Sequence, residues 1–373
     1  MHLLQQLVQI PSVNPDNAAA DQAGVTHEKA MADFVANWLE DIGASVTLEE
    51  IHPRRPNLIA RFAPLDGRPR ILLGPHLDTV GVENMTIEPF SGKIEDGKIW
   101  GRGASDTKGP MAAMLAGLKA NKEILKDLPV AVDFIGFMGE EACQHGSKDF
   151  AQKHSKDYEF AIVGEPTSMQ VVYTTKGSLW ATIEATGISA HASQPQLGDN
   201  AIIKLSQALV VLQKELAMRL EGFDHEILGF STMNIGMISG GSAPNIVPNK
   251  ASAQIDIRQA PSLAAAGGAL NLLRETIHDL RLPLTIRDAH ENPPMETDVD
   301  HKYIRMLRGI DACTGVTGAP WFSDAAHLAA AGLPSICLGP GSIDQAHTKD
   351  EFIELARLEE GEKFFSAFIR SLK

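Results

Sequence analysis

The chain has 373 residues, 44% hydrophobic and 21% charged, an ordinary globular composition that excludes a disordered or fibrous protein and leaves room for two domains. Lys and Arg number 33 against 47 Asp and Glu, a formal net charge of −14, which disfavours nucleic acid and anionic membranes as partners. Cys143, Cys313 and Cys337 are too few and too scattered for a disulfide framework or a CxxC knuckle, the N-terminus lacks the basic and apolar regions of a secretory signal, and no run reaches the ~20 apolar residues of a membrane span, so a cytoplasmic protein is expected.

The opening residues form an amphipathic pattern that stops at Pro11. Thr26–Ile42 is a predicted helix, with Met31, Phe34, Val35, Trp38, Leu39 and Ile42 at helical spacing and Gly43 as its stop. Short extended runs follow at Val46–Leu48, Asn57–Arg61 and Ile71–Leu73. Met111–Ala120 reads as a helix opened by Gly109-Pro110, and Val130–Phe137 and Phe160–Val163 are apolar runs of strand length. Helices alternating with apolar strands predict an α/β layered domain with a mostly parallel sheet.

The middle third has another texture. Ser178–Ala185 alternates like a strand, Asn200–Leu220 is a long amphipathic helix, Thr232–Ile238 and Ala251–Arg258 are strand-like, Leu263–Leu280 is helical and Leu282–Arg287 is a final strand. That order predicts an inserted α+β domain of ferredoxin-like type. The α/β texture then returns, with a helix near His301–Cys313 and a strand at Ser335–Leu338. The predicted division is residues 1–174 and 295–373 for one discontinuous domain, and 175–294 for the insertion.

Metal-type ligands recur at or just after predicted strand ends. His76-Leu77-Asp78 puts two polar side chains on one side of an extended segment, and Asp78 could orient His76 instead of binding a cation itself. Asp106 lies in the glycine-rich segment Gly101-Arg102-Gly103-Ala104-Ser105-Asp106-Thr107-Lys108-Gly109, which lacks the third glycine and the flanking elements of a dinucleotide fingerprint. Gly139-Glu140-Glu141 follows a buried strand; adjacent side chains diverge, so one carboxylate can bind a cation while the other faces substrate. Gly164-Glu165-Pro166 and Ala346-His347-Thr348 complete the series. Each motif alone is weak, and a solvated acidic turn or a structural histidine accounts for any one of them. Their order along the chain is the signal.

That order, together with His191, Gly240–Asn249, Arg258 and Ser323-Asp324, resembles the zinc-dependent exopeptidases and deacylases that include acetylornithine deacetylase, succinyl-diaminopimelate desuccinylase, carboxypeptidase G and aminoacylase. The resemblance spans essentially the whole chain. It implies two divalent ions, zinc or alternatively cobalt, with Asp106 bridging them, His76 and Glu165 completing one site, and Glu141 and His347 the other. It implies Glu140 as general base, Asp78 as the residue orienting His76, His191 as oxyanion donor from its own chain or a partner's, and Asn245 and Arg258 as carboxylate-binding residues. It also implies a cis peptide at Asp106-Thr107 and a homodimer formed through the inserted lid domain. The expected substrate is a small N-acyl amino acid or short peptide. An acetylornithine deacetylase-like amidohydrolase is the first reading, a dipeptidase or carboxypeptidase the second, and a non-catalytic binding protein on the same fold a remote third. The aromatic pair in Gly318-Ala319-Pro320-Trp321-Phe322-Ser323-Asp324 departs from the desuccinylase pattern.

Overall fold

The computed structural model describes residues 2–18 and 24–373. The chain divides into two compact units, one of Met1–Tyr173, Glu296–Thr317 and Ser323–Lys373, the other of Thr174–Met295 with Gly318–Phe322. The short segment Gly318–Phe322 thus belongs to the second unit, whereas the sequence places it in the first. Its reason is local: the Lys176 N–H donates to the Ala319 carbonyl, and Gly318 packs on Ile227 and Leu228.

The first unit is built on a mixed sheet whose strands lie in the order Ser45–His52, Arg55–Arg61, Ala131–Gly136, Arg70–Pro75, Phe160–Gly164, Ser335–Cys337 and Gln170–Thr175. Ala131–Gly136, Arg70–Pro75, Phe160–Gly164 and Ser335–Cys337 run parallel, and the outer pairs are antiparallel. The parallel strands are buried along their whole length, as strands covered by helices on both faces must be. Their apolar runs supply this, whereas Ser45–His52 at the edge is nowhere fully buried and keeps Glu49 and Glu50. The helix Lys108–Ala120 is buried nearly all round. Phe364, Phe365 and Phe368 of the C-terminal helix Leu355–Ser371 join the same core, and Gly117 lets the two helices close: a Cβ there would stand 2.7 Å from Phe365 Cβ.

The second unit has a four-stranded antiparallel sheet, ordered Thr232–Gly240, Lys250–Gln259, Gly177–Thr186, Thr285–Asn292. Leu205, Leu209, Leu212, Leu216 and Leu220 of the helix Ala201–Leu220 cover one face with Leu179, Ile183, Ile255 and Ile257 of the strands. Asn200 caps that helix by accepting from the N–H groups of Ile202 and Ile203.

Several boundaries differ from the sequence reading. The predicted helix Leu263–Leu280 is two helices, Pro261–Ala265 and Ala269–Asp279, because Gly267 and Gly268 turn the chain at φ 113° and 88°. The carboxylate of Glu291 then accepts from the N–H groups of Ala269 and Leu270, capping the second piece. The last strand starts at Thr285, not Leu282; Leu282 and Leu284 are spent on the core and Pro283 has no N–H for a ladder. The helix predicted from Thr26 starts at Lys29, because Thr26 bridges Val13 and Glu28 is buried against Arg55. The helix near His301–Cys313 is Lys302–Arg308, ending at Gly309. His145–His154, Gln170–Thr175 and the C-terminal helix are elements the sequence reading left unassigned.

Candidate active site

The four parallel strands end at one edge of the first sheet, where their carboxyl ends carry the loops that hold the polar cluster. His76 follows Arg70–Pro75, Glu140 and Glu141 follow Ala131–Gly136, and Glu165 follows Phe160–Gly164. The imidazole of His76 is fixed at both ends. Its Nδ1 lies 3.0 Å from the carbonyl of Asp78, and its Nε2 faces Asp106 Oδ1 at 3.1 Å. On the other side of Asp106, Oδ2 lies 3.5 Å from His347 Nε2, which is also 3.0 Å from Glu141 Oε2. The two oxygens of Asp106 therefore point at two different histidines, the arrangement a shared carboxylate needs. The Asp106–Thr107 peptide is cis.

Asp78 does more than face His76. Its carboxylate, fully buried, accepts from Asn14 Nδ2 at 2.7 Å and from the N–H groups of Glu140 and Glu141 at 3.0 and 3.1 Å. It ties the His76 loop to the Glu140 loop. Burial opposes its charge, but His76, Asn14 and the Glu141 N–H outweigh that and hold its pKa below the usual value.

The acids around it behave oppositely. Burial, followed by the carboxylates of Glu165, Asp324 and Glu141, holds Glu140 well above the ordinary carboxylate range. Burial and Asp106 push Glu141 up to about 7, and the same two causes raise Glu165. His76 is pushed up too: burial disfavours its charge, but Asp106 and Asp78 win. Buried oxygens Glu141 Oε1 and Glu165 Oε1 have no hydrogen-bond partner. Crowded carboxylates with unmatched oxygens call for cations. One atom each from His76, Asp106 and Glu141 lie within 4.8 Å of one another, and this nitrogen and oxygen donor set suits zinc and its neighbours. The residues present fit the implied metals.

One contributor escaped the sequence reading, and another was named there without a role. Glu351, fully buried, accepts from Ser105 N–H at 2.9 Å, Asp106 N–H at 3.0 Å and Gly103 N–H at 3.1 Å, and pairs with Arg102 at 2.7 Å. It reaches them because Phe352–Glu354 pairs with Lys98–Trp100, bringing Glu351 beside the glycine-rich loop. Nothing in the sequence analysis singled it out, as it follows the polar run Thr348-Lys349-Asp350. Asp324, named only as part of the resemblance, is also fully buried, takes a 2.5 Å bond from Ser147 Oγ, and is pushed up to about 7 chiefly by burial. Glu351→Gln should cost about 3 kcal/mol in urea unfolding, since Arg102 then stays buried and unpaired. It should also loosen Asp106, which equilibrium dialysis would report as weaker metal binding.

The remaining candidates lie in the second unit. His191 is exposed, its Nδ1 2.8 Å from Ser193 Oγ. It bridges Ile246, and the Ala192 N–H donates to the Asn245 carbonyl, so His191 and Asn245 share one antiparallel contact. Arg258 donates from Nε and Nη2 to Asp256 Oδ2 at 3.2 and 3.0 Å, which aligns the guanidinium along its own strand.

The profile of peptidase family M20/M25/M40 matches residues 72–371. An acetylornithine deacetylase from Proteus mirabilis is 32% identical over 96% of this chain and 93% of its own length. One from Pectobacterium atrosepticum is 31% identical over 99% and 96%. Among solved structures, an M20-family metallo-carboxypeptidase from Sulfolobus solfataricus superposes with a TM-score of 0.80 at 18% identity, covering 100% of this chain and 98% of that one. A Staphylococcus aureus tripeptidase gives 0.76 at 22%, over 100% and 97%. A dinuclear metal-binding M20 peptidase from Bacillus subtilis gives 0.68 at 14%, over 98% and 95%.

Proposed function

The chain belongs to peptidase family M20/M25/M40 and is a hydrolase of carbon–nitrogen amide bonds, and from that premise we propose that it removes the acyl group from an N-acyl amino acid, as an acetylornithine deacetylase does. The observation that carries the reading is the convergence of His76, Asp106 and Glu141 beside a half-buried Glu140. His76 and Glu165 would hold one cation, Glu141 and His347 the other, and Asp106 both. Two such cations supply a water of lowered pKa and polarise the scissile carbonyl. Zinc fits the donors best, and cobalt is the alternative.

The chain's own residues do the rest. Glu140 takes the proton of the attacking water and carries it to the departing amine nitrogen. Asp78, bonded to the backbone of Glu140 and Glu141, holds that base in place relative to His76. His191 donates to the developing oxyanion, worth on the order of 3 kcal/mol. Arg258 and Asn245 take the substrate carboxylate; the Arg258 guanidinium, steadied by Asp256, keeps Nη1 for a ligand. A dipeptidase or carboxypeptidase would use the same machinery, and the peptidases among the structural relatives favour keeping it as the second reading.

The test is release of amine from N-acetyl, N-succinyl and dipeptide substrates by zinc- and cobalt-loaded protein. Turnover of N-acetylornithine or another N-acetyl amino acid supports the first reading. Turnover of dipeptides alone replaces it with the second.

We read the second unit, with its split strand–helix order, as the lid and the homodimer interface. Ile203, Val210, Val211 and Met218 are exposed on one side of Ala201–Leu220, and Thr232–Gly240 is a sheet edge paired on one side only. Val210→Glu is expected to convert the dimer to a monomer, read by light scattering after size exclusion; a wild type that is already monomeric sinks this part. No helix among the described residues is long and apolar enough to cross a membrane, and the three cysteines are free thiols, which supports a reducing, cytoplasmic setting.

A further inference from the structure

We propose that the open face of the second unit's sheet binds an organic cation, a primary ammonium or a guanidinium carried on an aliphatic chain. The helices of this unit cover only the face bearing Leu179, Ala181, Ile183 and Ala185. On the opposite face the sheet carries a cavity of about 510 Å³. Two of its walls are apolar and open to solvent, Trp180 at 55% exposure and Met237 at 63%.

The ionisable side chains of the lining are Asp256, Asp288 and His290, and no Lys or Arg is among them. On this face Glu184 pairs with both Lys250 and Arg287, and Asp256 pairs with Arg258 through Oδ2. Asp288 is exposed and, among the described residues, makes no ion pair. Asp256 loads one oxygen with three bonds: Oδ2 accepts from Trp180 Nε1 at 3.2 Å and from Nε and Nη2 of Arg258, while buried Oδ1 has no partner. The bond to Asp256 also fixes the indole, so its face is presented to the cavity at little further entropic cost.

An aromatic face, a thioether and carboxylates around one cavity select a ligand with a greasy stem and a positive head. Methylenes lie against Trp180 and Met237, and the head is shared between the indole face and the acids. A neutral ligand of the same shape gains only the apolar contact, and an anion meets the carboxylate of Asp288, which no cation offsets.

The probe is n-butylguanidinium, with n-butylurea as the neutral isostere, titrated by calorimetry into the zinc-loaded full-length protein. Binding is measured directly, so the outcome is independent of which bond the enzyme hydrolyses. The expected result is one saturable site for n-butylguanidinium, no binding of n-butylurea, and affinity about tenfold weaker in each of Trp180→Leu and Asp288→Asn. Both side chains are exposed, and unchanged far-ultraviolet circular dichroism would show that the variants fold. Equal binding of the two probes, a site indifferent to both substitutions, or no binding at all overturns the proposal.

Discussion

Glu140→Gln should lower kcat about 10³-fold, the range general acid–base catalysis spans, while KM and metal content stay at wild-type values. Glutamine keeps the volume and the Glu140 N–H bond to Asp78, but its amide cannot accept and return a proton. The environment makes this loss severe. Burial and the neighbouring carboxylates of Glu165, Asp324 and Glu141 hold Glu140 at raised proton affinity, which suits a group that must take a proton and give it back. Glu141→Gln is the informative contrast. Its carboxylate contacts His347, so its loss should deplete metal first and activity as a consequence. Metal content by mass spectrometry on the same samples separates the two. Retention of more than a tenth of wild-type kcat in Glu140→Gln would remove Glu140 from the role of base, and a non-catalytic binder would show no turnover in either protein.

His76, Glu141 and Glu165 stood out as candidates because each follows an apolar run, whereas Asp106 lies in a glycine-rich loop and was named through the order of the motifs. Ile71–Leu73, Val130–Phe137, Phe160–Val163 and Ser335–Leu338 read as strands, and side chains leaving the ends of parallel strands converge whatever their separation in sequence. The fold class followed from the same runs. What stayed hidden depended on pairing rather than pattern. Glu351 organises the Asp106 loop only because a three-residue strand joins Lys98–Trp100, and a strand of that length has no period to detect. The break at Gly267 and Gly268 was visible as residues, but apolar spacing continues across it from Leu263 to Leu273, so periodicity alone reads one helix. Arg258 illustrates a third case. The resemblance implied a carboxylate ligand, and the sequence could not reveal that Asp256, two residues before it on the same strand face, takes two of its donors. A ligand must then be met by Nη1 or must draw the guanidinium away.

Removing the metals should abolish turnover, and restoring zinc or cobalt should bring it back. The same ligand set predicts how tightly the metals are held as pH changes. Without cations, Glu141 is pushed up to about 7, and Glu165 and His76 also retain protons more readily than their ordinary values allow. A metal takes a carboxylate and a neutral imidazole, so these protons must leave as it binds. Apparent affinity should therefore fall as pH drops, by about tenfold per unit for each proton displaced, and less steeply above about 7, where Glu141 is ionised beforehand. Calorimetry in two buffers of different ionisation enthalpy counts the protons; more should be released at pH 6 than at pH 8. Because folded protein alone presents the site, zinc at about a thousand times its Kd should also add about 4 kcal/mol of stability, seen as a raised urea midpoint that a chelator reverses. Activity indifferent to chelators, or proton release that is the same at both pH values, would mean that these side chains do not hold the cations.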